Sequence, residues 1–109
     1  MENREIQFVA NAARWFDKAN GNTYHSVNIT NVKTGETIYC PMTYGYDRAY
    51  EQTALKAMLT AGWIPAKYGE KLKHGGDTTY LYERENKYPI MWNVTDGLKR
   101  DCIKNGKEA

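Results

Sequence analysis

Two turn signals divide the first 44 residues into three stretches with the composition of β-strands. Residues 17–22 contain Asn20-Gly21, a pair that readily adopts the positive φ angles of a tight hairpin. A second turn signal lies at residues 33–36. Between the two, residues 23–32 are rich in β-branched side chains and tyrosine, which favours a strand. Because turns this short join neighbouring antiparallel strands, the region predicts a β-meander.

The first stretch, residues 6–16, fits two patterns. Its apolar side chains recur at helical spacing, as in Ile6 and Val9, but also at alternate positions, as in Phe8 and Ala10. This pattern alone leaves both elements open.

Residues 37–43 form the third predicted strand, with Ile38 and Cys40 on one face and Tyr39 on the other. Pro41 has no N–H to donate to a strand ladder. This strand is therefore predicted to lie at the edge of the sheet or to end at the proline.

One amphipathic helix is predicted over residues 48–61. Asp47 is a suitable N-cap, Gly62 occupies the position of a left-handed C-cap, and Pro65 prevents continuation. Five apolar side chains recur at helical spacing and predict the buried side. They are Tyr50, Ala54, Ala57, Met58 and Ala61.

The remaining residues predict smaller elements. Residues 66–76 read as a loop, and 78–85 and 90–94 as the two strands of a hairpin. A last helix over 96–104 is predicted to be capped by Thr95 and to end before Gly106, and it would bury Leu98, Cys102 and Ile103. The predicted fold class is α+β: an antiparallel β-meander packed against one long amphipathic helix, with a C-terminal β-hairpin and a short helix. One domain is predicted over residues 1–109, with a core of about 4–105.

Composition limits the classes of protein that the chain resembles. Hydrophobic residues make up 41% of the 109, enough for one core, and the net charge of +2 lacks the basic excess of a dedicated duplex-DNA binder. Two cysteines do not make a disulfide scaffold, no apolar run is long enough to span a membrane, and the N-terminus lacks the pattern of a signal peptide. A cytoplasmic location, without membrane contact, is therefore expected.

No catalytic motif is present. The residues that favour metal binding, His25, His74, Cys40 and Cys102, lack the short spacing of a zinc site. Asp17 with His25 is an acid–base candidate, but a turn role for the aspartate is the stronger reading. We predict no catalytic residues, no metal and no cofactor.

The best candidate for binding is the junction between the third strand and the helix. Tyr44 and Tyr46 flank a glycine there, and Arg48 follows at a helix start, where backbone amides favour anions. Tyrosines in such a place stack on bases or anchor a protein partner, although packing at the edge of the core is an equally good interpretation. Four residues of the first hairpin are predicted to lie near the junction: Arg14, Lys18, Tyr24 and His25. Three lysines of the loop at 66–76 are candidate phosphate contacts, although an ordinary solvated loop is the stronger interpretation. They are Lys67, Lys71 and Lys73.

Part of the sequence resembles a known group. The residues Arg14-Trp15-Phe16-Asp17, Asn20 to Val27 and Tyr44-Gly45-Tyr46, with Gln52-Thr53-Ala54, are similar to a recurring pattern in small uncharacterised accessory proteins of bacteriophages and prophages. The likeness covers about residues 14–62. In that group the first segment looks like a strand, so the resemblance favours a strand over a helix for residues 6–16. It implies a phage origin and action on a host component, as in anti-CRISPR and other counter-defence proteins.

The function predicted from the sequence is that of a non-catalytic, phage-type binding protein. It would inhibit or redirect a host protein or nucleoprotein complex, such as a defence system. Two alternatives remain open: an accessory protein that binds nucleic acid directly, and a small enzyme or nucleotide-sequestering protein.

Overall fold

The computed structural model describes residues 5–73 and 78–108. The strands are β1 (Phe8–Asp17), β2 (Asn22–Asn31), β3 (Thr37–Tyr44) and β4 (Ile90–Asp96). The helices are α1 (Ala49–Thr60), α2 (Lys67–Lys73), α3 (Thr78–Glu85) and α4 (Lys99–Asn105). None of the helices in these residues is long and apolar enough to cross a membrane.

The four strands form one mixed sheet in the order β3-β2-β1-β4. β1, β2 and β3 are antiparallel neighbours, as the two turn signals predict, whereas β4 pairs with β1 in parallel. The first segment is therefore a strand. β3 lies at an edge, and its register shifts opposite residues 25–27 of β2, so that Pro41 lies in a bulge where the ladder is interrupted.

The two faces of the sheet are covered differently. On the first face, Phe8 and Ala10 of β1, Val27 and Ile29 of β2 and Ile90 of β4 are buried beneath α1, α2 and α3. The second face carries α4, whose Cys102 Sγ lies 3.4 Å from the carbonyl oxygen of Ala13. The sheet is thus sandwiched between helices.

The α+β class predicted from the sequence is confirmed, but the predicted architecture is wrong in several respects. There is no long amphipathic helix: α1 has 12 residues and is followed by two further short helices. Gly62 adopts a positive φ of 75° and ends α1 as expected. Residues 67–73, predicted as part of a loop, form α2.

The predicted C-terminal hairpin does not exist, because residues 78–85 form α3. Thr78, Thr79 and Tyr82 are buried on one side of that helix, at a spacing that suits helix rather than strand. The threonines and tyrosines favour strand, but Leu81 and the charged residues after it favour helix, and packing against α1 and α2 decides the outcome.

Both predicted N-caps are also wrong. Asp47 adopts a left-handed φ of 56°, and α1 begins after Arg48 without a side-chain cap. Thr95 and Asp96 remain in β4, so α4 starts only at Lys99, after Leu98. Leu98 is 54% exposed rather than buried, while Cys102 is buried as predicted.

Candidate functional site

The turn from β3 to α1 lies at one end of the sheet. Gly45 donates its backbone N–H to the carbonyl oxygen of Thr23 at 3.0 Å, which fixes the turn to the start of β2. Phe16 of β1 lies opposite Thr23 in the register. Phe16, Thr23 and Gly45 therefore follow one another across neighbouring strands, within about 10 Å.

His25 supports this turn from below. Its side chain is only 2% exposed, and its Nδ1 lies 3.1 Å from the carbonyl oxygen of Gly45. Because a carbonyl oxygen only accepts, Nδ1 carries the proton, and Nε2 accepts from the hydroxyl of Thr53 at 2.7 Å. Burial lowers the pKa of His25 below its ordinary value, which keeps the ring neutral.

Arg14 ties three elements together at the same end. Its Nε and Nη2 donate to the two carboxylate oxygens of Asp96 in β4, at 2.6 and 3.0 Å. Its Nη1 donates to the carbonyl oxygen of Asp47 at 3.0 Å. The hydrogen bond from Arg14 lowers the pKa of Asp96. The left-handed Asp47 is thus held to β1 and β4.

A row of aromatic rings crosses the second face at this end. The ring centroids of Trp15 and Tyr24 are 5.5 Å apart, and those of Tyr24 and Tyr44 are 5.9 Å apart. Lys99 Nζ, from α4, lies 5.3 Å from the centroid of Trp15. The row thus runs from Lys99 of α4 through Trp15 and Tyr24 to Tyr44. The cation–ring contact and the packing of the rings hold Tyr44 at its outer end.

Three aromatic side chains at this end are largely exposed: Phe16 by 53%, Tyr44 by 55% and Tyr46 by 69%. We call Phe16, Lys18, Tyr44, Tyr46 and Arg48 the end surface. Two adjoining open depressions lie within it, one of about 580 Å³ beside Tyr44 and Tyr46 and one of about 450 Å³ beside Phe16 and Lys18; Asp47 borders both.

Charge around the end surface is balanced. Four cations, Arg14, Lys18, Arg48 and Lys99, are accompanied by four anions, Asp17, Asp47, Glu51 and Asp96. Arg48 donates to Glu51 at 3.1 Å, Arg14 is bound to Asp96, and the charge of Lys99 acts on Asp17. The region therefore lacks the concentrated positive charge with which proteins follow a phosphate backbone.

The structure brings the predicted residues of the hairpin and the junction to one end of the molecule, but in different states. Tyr44, Tyr46, Arg48 and Lys18 are exposed, Arg14 and Tyr24 are half-buried, and His25 is buried. His25 and Tyr24 pack beneath the end surface, and the guanidinium of Arg14 is hydrogen-bonded to the carboxylate of Asp96.

The candidate phosphate contacts Lys67, Lys71 and Lys73 belong to α2, which follows the far end of α1. Because α1 is about 18 Å long, they do not join the end surface. Lys67 Nζ lies 5.2 Å from the centroid of the Tyr68 ring.

Asp17 and His25 do not form an acid–base pair, since they lie on opposite faces of the sheet. Asp17 accepts from the N–H of Ala19 and the amide of Asn20 in the turn. In residues 5–73 and 78–108, no group of three or more His, Cys, Asp or Glu side chains is placed to hold a metal ion. His74 lies outside the described residues.

Sequence reasoning missed several residues that build this end of the molecule: Trp15, Phe16, Thr53, Asp96 and Lys99. The adjacent Trp15 and Phe16 do carry a signal, because neighbouring residues of a strand direct one ring to each face. Asp96 and Lys99 carry no such signal, because their positions depend on the pairing of β4 with β1.

Comparisons of the chain with protein-family models, with curated proteins and with solved structures found no significant match.

Proposed function

We propose that this chain is a non-catalytic binding protein of the phage accessory type. It docks on a host protein, or on the protein part of a nucleoprotein complex, through the end surface and thereby inhibits or redirects it. A defence complex is the proposed target, which follows from the sequence resemblance. The single observation that carries the docking proposal is the exposure of Phe16, Tyr44 and Tyr46 at one end of the sheet.

Aromatic side chains and arginine are the residues that dominate the binding energy of protein interfaces. Tyr44 and Tyr46 flank a backbone held by Thr23 and His25, so little conformational freedom is lost when a partner covers them. The depressions are broad and open, which suits protruding side chains of a macromolecule better than an enclosed small ligand.

Balanced charge favours a protein partner over direct nucleic-acid binding. A protein that neutralises several phosphates needs an excess of cations in the contact area, and its affinity falls steeply with salt. Here each charge of one sign is matched by one of the other. Direct nucleic-acid binding is therefore the competing outcome of the test below.

The test uses the immobilised chain and nuclease-treated host lysate, with captured proteins identified by mass spectrometry and their affinity then measured with the purified partner. Tyr46→Ala and Tyr44→Ala are expected to weaken that complex about 30-fold each, as for residues worth about 2 kcal/mol. Tyr39→Ala is the matched control, because Tyr39 is an exposed tyrosine of the same strand about 16 Å away.

Three results would overturn the proposal. The first is a partner whose affinity is unchanged by both end-surface variants, and the second is a partner lost equally with Tyr39→Ala. The third is capture that occurs only from lysate without nuclease treatment, together with binding of bare nucleic acid that falls steeply as salt rises.

A further inference from the structure

The two edges of the sheet differ in how they are protected. β3 carries Pro41 in a bulge, a combination that prevents another strand from pairing along that edge. β4, at the other edge, contains no proline and no lysine, and its residues from Ile90 to Thr95 carry no charge. In the part of the chain that the structure describes, no strand pairs with the outer side of β4.

Backbone hydrogen bonds at the two ends of β4 show which groups point outward. Phe8 N–H donates to the carbonyl oxygen of Pro89 at 3.1 Å, and Gly97 N–H donates to that of Arg14 at 2.9 Å. In a parallel pair the residues bonded to the neighbour alternate. Residues 91, 93 and 95 therefore bond to β1, while Trp92 and Val94 direct N–H and C=O toward the open side.

Apolar side chains are concentrated along this edge. Among the described residues, ten large hydrophobic side chains are exposed, and four of them lie within residues 88–98. They are Tyr88, Met91, Val94 and Leu98. A strand edge is the usual template for strand addition where no described strand lies beside its outward groups, here those of Trp92 and Val94.

We propose that β4 is a self-association site, at which two copies of the chain pair antiparallel through their β4 strands. The two sheets then join into one of eight strands, with β4 and its copy at the centre. A two-fold axis at Asn93 sets the register: Trp92 of each copy lies opposite Val94 of the other, and Met91 opposite Thr95.

This register makes β4 complementary to itself, as a two-fold interface requires. Trp92 and Val94 are the residues with outward backbone groups, so each of the two Trp92–Val94 pairs exchanges two hydrogen bonds. Their side chains form an aromatic and β-branched cross-strand pair, which is a favourable combination. Because residues 90–95 carry no charged side chain, no like charges face each other between these residues of the two copies.

Asn93 on the axis adds a further contact. It donates one amide N–H to Asn11 Oδ1 at 3.1 Å, and Asn11 in turn donates to Asn28 Oδ1 at 3.0 Å. Each Asn93 amide has a second N–H and a carbonyl oxygen, so two of them facing each other form a reciprocal pair. The two Asn93 residues face each other without exchanging backbone hydrogen bonds. Side chains at such positions are closer together than those of hydrogen-bonded pairs in an antiparallel ladder, which suits this contact.

The experiment combines the mass of the full chain by light scattering with residue-resolved amide exchange by NMR, each at several protein concentrations. We expect the mass to rise from that of one chain toward that of two. The amides of Trp92 and Val94 are expected to exchange rapidly in dilute protein and slowly in concentrated protein. The amides of Asn93 and Thr95, which face β1, remain protected throughout and serve as internal controls.

Val94→Pro removes the outward N–H without touching the ladder with β1, and it is expected to raise the dissociation constant of the dimer roughly tenfold or more. Val94→Lys, which places two like charges near the axis, tests the same edge without a backbone change. Val32→Lys, at an exposed valine away from β4, is the matched control and leaves association unchanged. A chain that stays monomeric with rapid exchange at Trp92 and Val94, or a dimer that survives both Val94 variants, overturns the proposal.

Discussion

A side chain on residue 45 would collide with the floor of the end surface. A Cβ atom added to Gly45 would lie 2.7 Å from His25 Cε1 and 2.9 Å from the Cβ of Ala49. The His25 ring has no room to yield, because it is buried and hydrogen-bonded at both nitrogens. The glycine between the two tyrosines is therefore needed for the close approach of the turn to β2.

Gly45→Ala is accordingly expected to lower the free energy of unfolding by about 1–3 kcal/mol, the usual cost of overpacking. Denaturant unfolding measures the loss. Gly69→Ala is the matched control: Gly69 lies in α2 with open space where a Cβ would be, and the alanine should stabilise the chain by about 0.5–1 kcal/mol. Equal effects of the two substitutions would contradict the role assigned to Gly45.

At the scale of the element, α4 is joined to the sheet mainly by polar contacts. The Asn105 amide donates to the carbonyl oxygen of Asn11 at 3.0 Å and to Ser26 Oγ at 3.2 Å, and it accepts from the Asn28 amide at 3.1 Å. Gly106 packs so closely that an added Cβ would lie 2.7 Å from the carbonyl oxygen of Cys40. The second face is thus held by a hydrogen-bond network rather than by an apolar layer.

Asn105→Ala leaves several of these partly buried groups without a partner and is expected to cost about 1–3 kcal/mol of unfolding free energy. Thermal or denaturant unfolding gives the value. Lys104→Ala, an exposed position of the same helix, should change stability by no more than about 0.5 kcal/mol. A loss confined to Lys104→Ala would be incompatible with this account of how α4 is attached.

The elements differ in how well the sequence predicts them. β1 to β3 are joined by short turns with glycine, so local chemistry is enough to predict the meander. α3 begins with Thr78, Thr79 and Tyr80, residue types that favour a strand. Only its packing against other helices makes it a helix. β4 is recognisable as a strand, but its parallel pairing with β1 depends on a connection of about 70 residues that no local pattern encodes.

The same limit applies to the end surface. Tyr44, Tyr46 and Arg48 are close in the chain and can be grouped from the sequence. The partner of Arg14 is Asp96, 82 residues away, and it is found only when the sheet order is known. Likewise, the sequence marks His25 as polar, but only the register places it beneath Gly45.

For the whole molecule, buried His25 links stability to pH. Its folded pKa is lowered below the ordinary 6.5, so the unfolded chain takes up a proton before the folded chain does. Stability is therefore full above about pH 6.5 and falls as the pH decreases toward the folded pKa. Each tenfold difference in proton affinity between the two states is worth about 1.4 kcal/mol.

We expect the free energy of unfolding to decline between pH 7.5 and pH 5 in the natural chain, and the decline to be smaller in His25→Gln. The glutamine keeps a donor and an acceptor but does not titrate in this range. Denaturant unfolding at several pH values gives both slopes. Identical slopes would show that the proton affinity of His25 is the same in the folded and unfolded chains.

The parallel pairing of β1 with β4 also has a consequence during synthesis. The ribosome releases β1, β2 and β3 first, and their hairpins form from neighbouring residues without waiting for the rest. β1 then has a bare side until residues 90–96 emerge, and α4 follows them onto the sheet. Until then the open side of β1 can pair with another chain, so a stretch made much later protects a strand made early.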